Sequence, residues 1–424
     1  MSFETISIIG LGYIGLPTAA MFASRKKKVI GVDVNQHAID TINRGEIHIV
    51  EPDLDIIVHA AVSEGYLRAT NTAEPADAFL IAVPTPFKDS DSKIPQPDLK
   101  YIESAAKSIA PVLKKGDLII LESTSPVGAT EQLADWLAEI RSDLSFPQTA
   151  GEQAEVNIAH CPERVLPGHV VRELVENDRV IGGMSSKCSE KAIELYKTFV
   201  KGECFVTNAR TAEMAKLTEN SCRDLQIAFA NELSMICDKL DIDVWELITL
   251  ANRHPRINIL QPGPGVGGHC IAVDPWFIVS KTPSEAKMIH MARETNEYKT
   301  EWVIKKIQEE INLLLKNNFD KKRKDVTVAC FGLSFKPNID DLRESPALKI
   351  TKTISKNHPG KVIGVEPNID GLNDNLIELN KDIEKLDYDI AVFLVKHKEF
   401  EGYKRKEDKK YIDLVGLFGN EVKA

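Results

Sequence analysis

The sequence predicts an α/β protein in which two doubly wound domains are joined by a central helical domain with a long helix. Three observations carry this. Short apolar runs alternate with helical stretches up to about residue 205, one amphipathic stretch then runs unbroken over about 208–240, and a strand–helix–strand pattern restarts near residue 320.

A chain of 424 residues is too long for one ordinary core. With 43% hydrophobic and 27% charged residues it has the composition of a globular protein, neither disordered nor fibrous. Its formal charge of -10 argues against a nucleic-acid surface as its main feature. The basic runs Arg25–Lys28 and Lys321–Lys324 each precede an apolar run and read as solvated turns. Seven cysteines without regular spacing look like reduced thiols, and no apolar run reaches the roughly 18 residues needed to span a bilayer. No leader is visible before the first strand, so a cytoplasmic location is expected, with neither nucleic acid nor membrane as partner.

In the first region the strand candidates are ISIIG, VIGVD, AFLIAV, DLIILES, VNIAH and RVIGG. Over 208–240, Met214, Leu217, Leu225, Phe229, Ile236 and Leu240 recur at helical spacing. A Gly/Pro-rich segment, residues 261–270, interrupts the helical region, and a second long helix is expected over about 284–317. VTVACFG and KVIGVEP then bracket a helical pattern around 347–356, and YDIAVFLV adds a strand. The second α/β region is at most a weak echo of the first.

The first strand runs into Gly10-Leu-Gly12-Tyr-Ile-Gly15, a GxGxxG segment between a strand and a helix. Gly10 permits the tight turn, Gly12 the approach of a diphosphate, and Gly15 close packing of helix on strand. The free N–H groups of the helix start then face the phosphates. Asp33 closes the next strand where an acceptor for a ribose hydroxyl belongs, and with no Arg after it NAD is expected over NADP. Val83-Pro84-Thr85 and Glu122-Ser-Thr124 follow later strands. Alone these are ordinary turns, but ligands of open parallel sheets bind at such carboxyl ends.

Cys270 follows glycines that would let the backbone pass close to a ligand. A nicotinamide needs no thiol to oxidise an alcohol, so a cysteine beside it implies an aldehyde-level step through a thiohemiacetal and a thioester, ending in an acid. Lys216 and Asn220, four residues apart, share one helix face and offer a cation and an amide, or else are a solvated pair. Asp274 either holds a water or the lysine, or caps the helix that Pro275 begins. Glu163 either activates the hydrolytic water or forms a surface pair with Arg164. The sequence places no second His or carboxylate beside His269, which stays outside the catalytic set. His254 and His269 lack ligand spacing, so no metal is expected.

These motifs together resemble the UDP-glucose/GDP-mannose dehydrogenase family over essentially the whole chain. The resemblance rests on IIGLGYIGLPTA, VPTP, ESTSPVGAT, HCPER, EMAKLTENS, GPGVGGHCIAVDP and FGLSFKPNIDDLRESP, in that order. It implies an NAD-binding Rossmann domain at 1–205, a central helical dimerisation and catalytic domain at 206–318, and a C-terminal UDP-sugar-binding domain at 319–424. The implied activity is the NAD-dependent four-electron oxidation of a UDP-sugar at C6. Cys270 would be the nucleophile, Lys216 and Asn220 its oxyanion and proton-transfer partners, Asp274 a helper of Lys216 and water, and Glu163 a participant in hydrolysis. NAD would meet Gly10, Gly12, Tyr13, Ile14, Gly15, Asp33, Val83, Pro84, Thr85 and Thr124, with Thr124 also near the substrate water. Arg164, Gly267, Lys336 and Arg343 would contact the nucleotide sugar. Arg256 would enter the active site of a neighbouring subunit, implying a homodimer. His269 before the cysteine and Ile271-Ala272-Val273 after it depart from the UDP-glucose members and favour an N-acetylhexosamine.

Overall fold

The computed structural model describes residues 3–418 except Ser90, Pro167, Asn373 and Glu384. Two compact units divide the chain inside one long helix, Met1–Glu219 and Asn220–Ala424.

The first unit is built on eight strands: β1 (Thr5–Ile9), β2 (Lys28–Val32), β3 (Leu67–Thr70), β4 (Ala78–Ile81), β5 (Leu118–Leu121), β6 (Asn157–His160), β7 (Arg179–Gly183) and β8 (Cys204–Asn208). They lie in the order β3-β2-β1-β4-β5-β6-β7-β8, parallel except where β7 runs against β6. Strands β4, β5 and β6 are buried along their whole length, the pattern of a parallel sheet covered on both faces. Ile6 and Ile8 pack on one face with Leu16 and Phe22 of the helix Gly15–Ser24, and Ile9, Phe79 and Ile81 pack on the other. Truncating one such residue to Ala costs about 2–5 kcal/mol. The basic run before β2 is a turn, with Lys26 in a left-handed conformation and paired with Glu64.

The second unit carries five parallel strands, β9 (Val328–Phe331), β10 (Val362–Val365), β11 (Glu378–Asn380), β12 (Ile390–Phe393) and β13 (Lys410–Asp413), ordered β11-β10-β9-β12-β13. Val303, Ile307 and Ile311 of the helix Lys287–Asn317 share a core with Val328, Ile350 and Ile390.

The helix Ala209–Leu240 is one element of 32 residues, about 48 Å long. The apolar spacing that predicts it marks chiefly the exposed side: Phe229 is 52%, Ile236 47% and Leu240 62% exposed. Its buried side mixes small and apolar residues with polar ones that hydrogen-bond to the helix Lys287–Asn317. Asp224 accepts from Arg293 at 2.7 Å and from Asn296 at 2.8 Å, Asn231 donates to Asn296 at 2.9 Å, and Ser234 accepts from Lys299 at 2.7 Å. Buried polar atoms must find partners, and here facing positions on two helices supply them. Among the described residues no helix is long and apolar enough to cross a membrane.

Candidate active site

At the carboxyl end of the first sheet, Gly10 turns with φ +93° and donates to Val32 O at 2.8 Å. A Cβ on Gly10 would meet Ala82 O at 2.7 Å, and one on Gly15 would meet Gly10 O at 1.8 Å, so both glycines are sterically required. Gly12 has nothing within 4 Å of where a Cβ would stand. That open space lies at the start of the helix Gly15–Ser24, which no side chain caps, and it fits a phosphate. Asp33 is half-buried. Its Oδ2 accepts from Leu11 N at 2.7 Å and its Oδ1 from Asn35 N at 2.8 Å, which fixes the carboxylate beyond the strand. Ser123 Oγ donates to Val83 O at 2.6 Å, tying the Val83–Thr85 loop to the one bearing Thr124. Thr85 Oγ1 is buried without a protein partner, as a group reserved for a ligand would be.

Glu163 follows β6 and is buried, so it is no surface partner of Arg164. Its Oε2 lies 2.5 Å from Arg179 and its Oε1 accepts from Arg164 N at 2.7 Å. The guanidinium of Arg164 pairs instead with Glu219, at 2.7 Å. Arg179 stands over the Tyr196 ring at 4.9 Å and 4.0 Å from Glu122. Burial, reinforced by repulsion from Glu163, pushes the Glu122 carboxyl up to about 8 in spite of Arg179, and Tyr196 Oη donates to it at 2.9 Å. A cavity of about 450 Å³ opens beside this cluster, lined by Arg164, Glu173, Asn177, Asp178, Lys216 and Glu219.

In the second unit Cys270 is half-buried, and its carbonyl accepts from Asp274 N at 2.8 Å where the helix Asp274–Lys281 begins. Asp274 is not the cap of that helix; Val273 occupies that position, and the buried Asp274 Oδ2 accepts from Asn220 Nδ2 at 2.5 Å. Asn220 and Lys216 stand one turn apart on the long helix, both half-buried.

The glycines before Cys270 are also required by the protein's own packing. A Cβ on Gly265 would meet Thr300 Oγ1 at 2.5 Å, on Gly267 Glu344 O at 2.6 Å, and on Gly268 the Phe335 ring at 2.8 Å. These glycines admit other parts of the chain. Gly268 N donates to Arg343 O at 3.1 Å, Gly263 N to Asn231 Oδ1 at 2.9 Å, and Thr300 Oγ1 to Pro264 O at 3.0 Å. The Cys270 loop is thus held by two helices and by the loop bearing Lys336 and Arg343. In that loop Lys336 is exposed, while the Arg343 side chain binds Asp341 through two nitrogens. Arg256 and His269 are exposed.

Asn231, Thr300 and Arg179 escape sequence reasoning because their partners are distant in the chain. Glu366 had a visible signal: VIGVE at 362–366 repeats VIGVD at 29–33. Among the described residues no group of three His, Cys, Asp or Glu side chains is placed to hold a metal.

Residues 4–200, 210–298 and 329–419 match three models described as the NAD binding, central and UDP binding domains of the UDP-glucose/GDP-mannose dehydrogenase family. The chain belongs to that family. It is a nucleotide-sugar dehydrogenase with an NAD-binding domain. Similar relatives include UDP-N-acetyl-D-mannosamine dehydrogenase of Yersinia pestis, 64% identical over 424 residues, 99% of this chain and 100% of the relative. NDP-N-acetyl-D-galactosaminuronic acid dehydrogenase of Ralstonia nicotianae is 60% identical over 423 residues, 99% of this chain and 97% of the relative. Among solved structures, UDP-D-ManNAc dehydrogenase of Pyrococcus horikoshii matches with a TM-score of 0.86 at 36% identity, covering 98% of this chain and 96% of that one.

Proposed function

We propose that this dehydrogenase oxidises UDP-N-acetyl-D-mannosamine at C6 to UDP-N-acetyl-D-mannosaminuronate, using two NAD per sugar, in the cytoplasm and for surface polysaccharide synthesis of the enterobacterial common antigen type. The observation that carries the chemistry is the Asn220, Asp274 and Cys270 cluster at one helix start. The sugar follows from the 64% full-length identity to the Yersinia pestis enzyme.

Gly10, Gly12, Tyr13, Ile14 and Gly15 would hold NAD, with Asp33 at its ribose, and the cofactor would supply the acceptor for the hydride of each oxidation. The alcohol loses a hydride and a proton to give the aldehyde. The Cys270 thiolate adds to that carbon, and the thiohemiacetal becomes a thioester on losing a second hydride. Water then releases the acid and the thiol, so one alcohol, one water and two NAD yield the carboxylate, two NADH and three protons. Lys216 and Asn220 stabilise the oxyanion of each tetrahedral stage, and Asp274 fixes the Asn220 amide. Glu163 takes part in hydrolysis, held in place by Arg179 and the Arg164 amide. Thr124 would contact the nicotinamide and the substrate water. Arg164, Gly267, Lys336 and Arg343 hold the nucleotide sugar. The division at 1–205, 206–318 and 319–424 separates cofactor, catalytic and nucleotide-sugar binding. The exposed stripe of Phe229, Ile236 and Leu240 supports a homodimer in which Arg256 reaches the neighbouring site.

A second reading, an N-acetylgalactosamine substrate, is favoured by the 60% identity to the Ralstonia nicotianae enzyme. Purified protein with NAD is assayed on UDP-N-acetylmannosamine, UDP-N-acetylgalactosamine, UDP-N-acetylglucosamine and UDP-glucose, counting NADH per sugar consumed. About two NADH per sugar with the mannosamine substrate is expected from the four-electron chemistry. One NADH per sugar removes the role given to Cys270, and turnover of another sugar alone overturns the substrate. Cys270→Ser should cut acid formation by about 10³-fold or more while NAD still binds, and wild-type acid formation would refute covalent catalysis.

A further inference from the structure

Beneath the loop that carries Lys336 lies a pair of wholly buried ionisable side chains, His397 and Glu366, which the reaction above does not use. Glu366 follows β10 and His397 lies beyond β12, at the carboxyl ends of the two strands that flank β9 in the second sheet. Glu366 Oε2 accepts from Leu333 N at 2.7 Å and Ser334 N at 3.1 Å, and lies 3.1 Å from His397 Nε2.

The other ring nitrogen faces the loop. Asn338 N lies 2.9 Å and Asn368 Nδ2 3.0 Å from His397 Nδ1. A backbone N–H is a donor only, so Nδ1 carries no proton, and the ring proton sits on Nε2 and points at Glu366. Glu366 therefore selects the tautomer that can receive the loop.

What His397 receives is the turn Lys336–Pro337–Asn338. Asn338 stands at φ +62°, a left-handed conformation that a non-glycine residue keeps only when its surroundings hold it. Its backbone N–H goes to His397, and its Oδ1 accepts from Lys398 N at 2.8 Å, next to His397 in the chain. At the other end of the turn Ser334 Oγ donates to Lys336 O at 2.8 Å and lies 3.4 Å from His397 Nε2. The exposed Lys336 side chain thus starts from a backbone whose shape depends on one buried imidazole.

We propose that His397, oriented by Glu366, is the positioning residue that holds the Lys336 turn in shape to receive the diphosphate of the nucleotide sugar. This rests on the reading that Lys336 contacts that substrate.

Two amide replacements separate the jobs of the two ring nitrogens. In His397→Asn the amide oxygen falls near the place of Nδ1 and still accepts from Asn338. In His397→Gln the amide nitrogen falls near the place of Nε2 and still donates to Glu366, leaving the Asn338 N–H without its acceptor. His397→Gln should raise KM for the nucleotide sugar about tenfold, with kcat and KM for NAD within about twofold of wild type, while His397→Asn keeps KM within about threefold. A merely structural pair would lower Tm in both variants without this split. Equal KM in the two variants, at the wild-type value or above it, overturns the proposal. If neither variant folds, Ser334→Ala decides: a several-fold rise in the same KM supports it, and an unchanged KM overturns it. Wild-type turnover in the same assay keeps the two readings apart. No turnover of any UDP-sugar defeats the proposed function, whereas turnover with an unchanged KM in His397→Gln defeats only this inference.

Discussion

Asp33 and Glu366 stand at matching places in the two sheets and meet opposite fates. Gly10 N bonds Val32 O at 2.8 Å with φ +93°, and Gly332 N bonds Val365 O at 2.8 Å with φ +85°. Leu11 N and Leu333 N each reach the carboxylate at 2.7 Å, and the second oxygen accepts from Asn35 N at 2.8 Å or Asn368 N at 3.0 Å. The backbone crook is the same. After Gly10 comes the open space over Gly12 and then a helix. After Gly332 comes buried Ser334, then a loop that reaches a helix only at Pro346. Asp33 stays half-buried with one backbone N–H on each oxygen, while Glu366 is wholly buried and spends its oxygens on the protein. One crook thus stands in the NAD-binding domain with a half-buried carboxylate, and its copy in the UDP-binding domain fastens a loop with a wholly buried one.

The largest test of this contrast is stability. Glu366→Ala strands the His397 Nε2–H and three backbone N–H groups, those of Leu333, Ser334 and Asn368, and should cost about 3–5 kcal/mol, whereas Asp33→Ala should cost under about 1 kcal/mol. Urea midpoints measure both, and equal losses would break the comparison. Burial alone would raise the Glu366 carboxyl, but His397 and the amides of Leu333 and Asn368 outweigh it and hold it below the ordinary value of 4.5. Its contribution is therefore fully present above that value and is lost as pH falls through the lower folded value.

Asp33→Ala should instead act on the cofactor, weakening NAD and reducing its preference over NADP by about 10–100-fold. An unchanged ratio of the two kcat/KM values would remove Asp33 from the ribose.

Glu122 extends the comparison to a third strand end. It too closes a strand and is buried, but no imidazole serves it, and its carboxyl is pushed up to about 8. The folded form keeps a proton that the unfolded chain releases near 4.5. Stability should therefore fall as pH rises from there toward 8, by up to about 1.4 kcal/mol per pH unit. Glu122→Gln should flatten that slope in thermal melts between pH 5 and 8, and an unaltered slope would show that Glu122 is ionised in the folded protein.

The sequence displays what is local. GxGxxG and Asp33 lie on one strand–helix–strand unit, and the helix expected over about 208–240 is Ala209–Leu240. The start of the second long helix, expected near residue 284, falls at Lys287, because Asp274–Lys281 forms a separate helix before it. What stays hidden depends on distant pairing. His397 acts on residues some sixty positions earlier, Arg179 takes Glu163 across two strands, and the glycines before Cys270 answer to Phe335 and Glu344. Glycine density announces close approach without saying what approaches. The VIGVD and VIGVE echo was legible, yet its meaning rests on His397, which no short window contains.

The placement of the seven thiols has a use in chemical labelling. None is in a disulfide; Cys161, Cys188, Cys237 and Cys330 are buried, and burial pushes Cys330 up to about 12 and Cys161 higher still. Cys204 is half-buried with its thiol also raised, which leaves exposed Cys222 and half-buried Cys270 for a mild alkylating reagent. Cys222 lies on the same long helix as the apolar stripe, and Cys270 is the proposed nucleophile. One mass spectrum of a partly alkylated sample would then report two events separately: self-association as shielding of Cys222, and occupancy by the nucleotide sugar as shielding of Cys270.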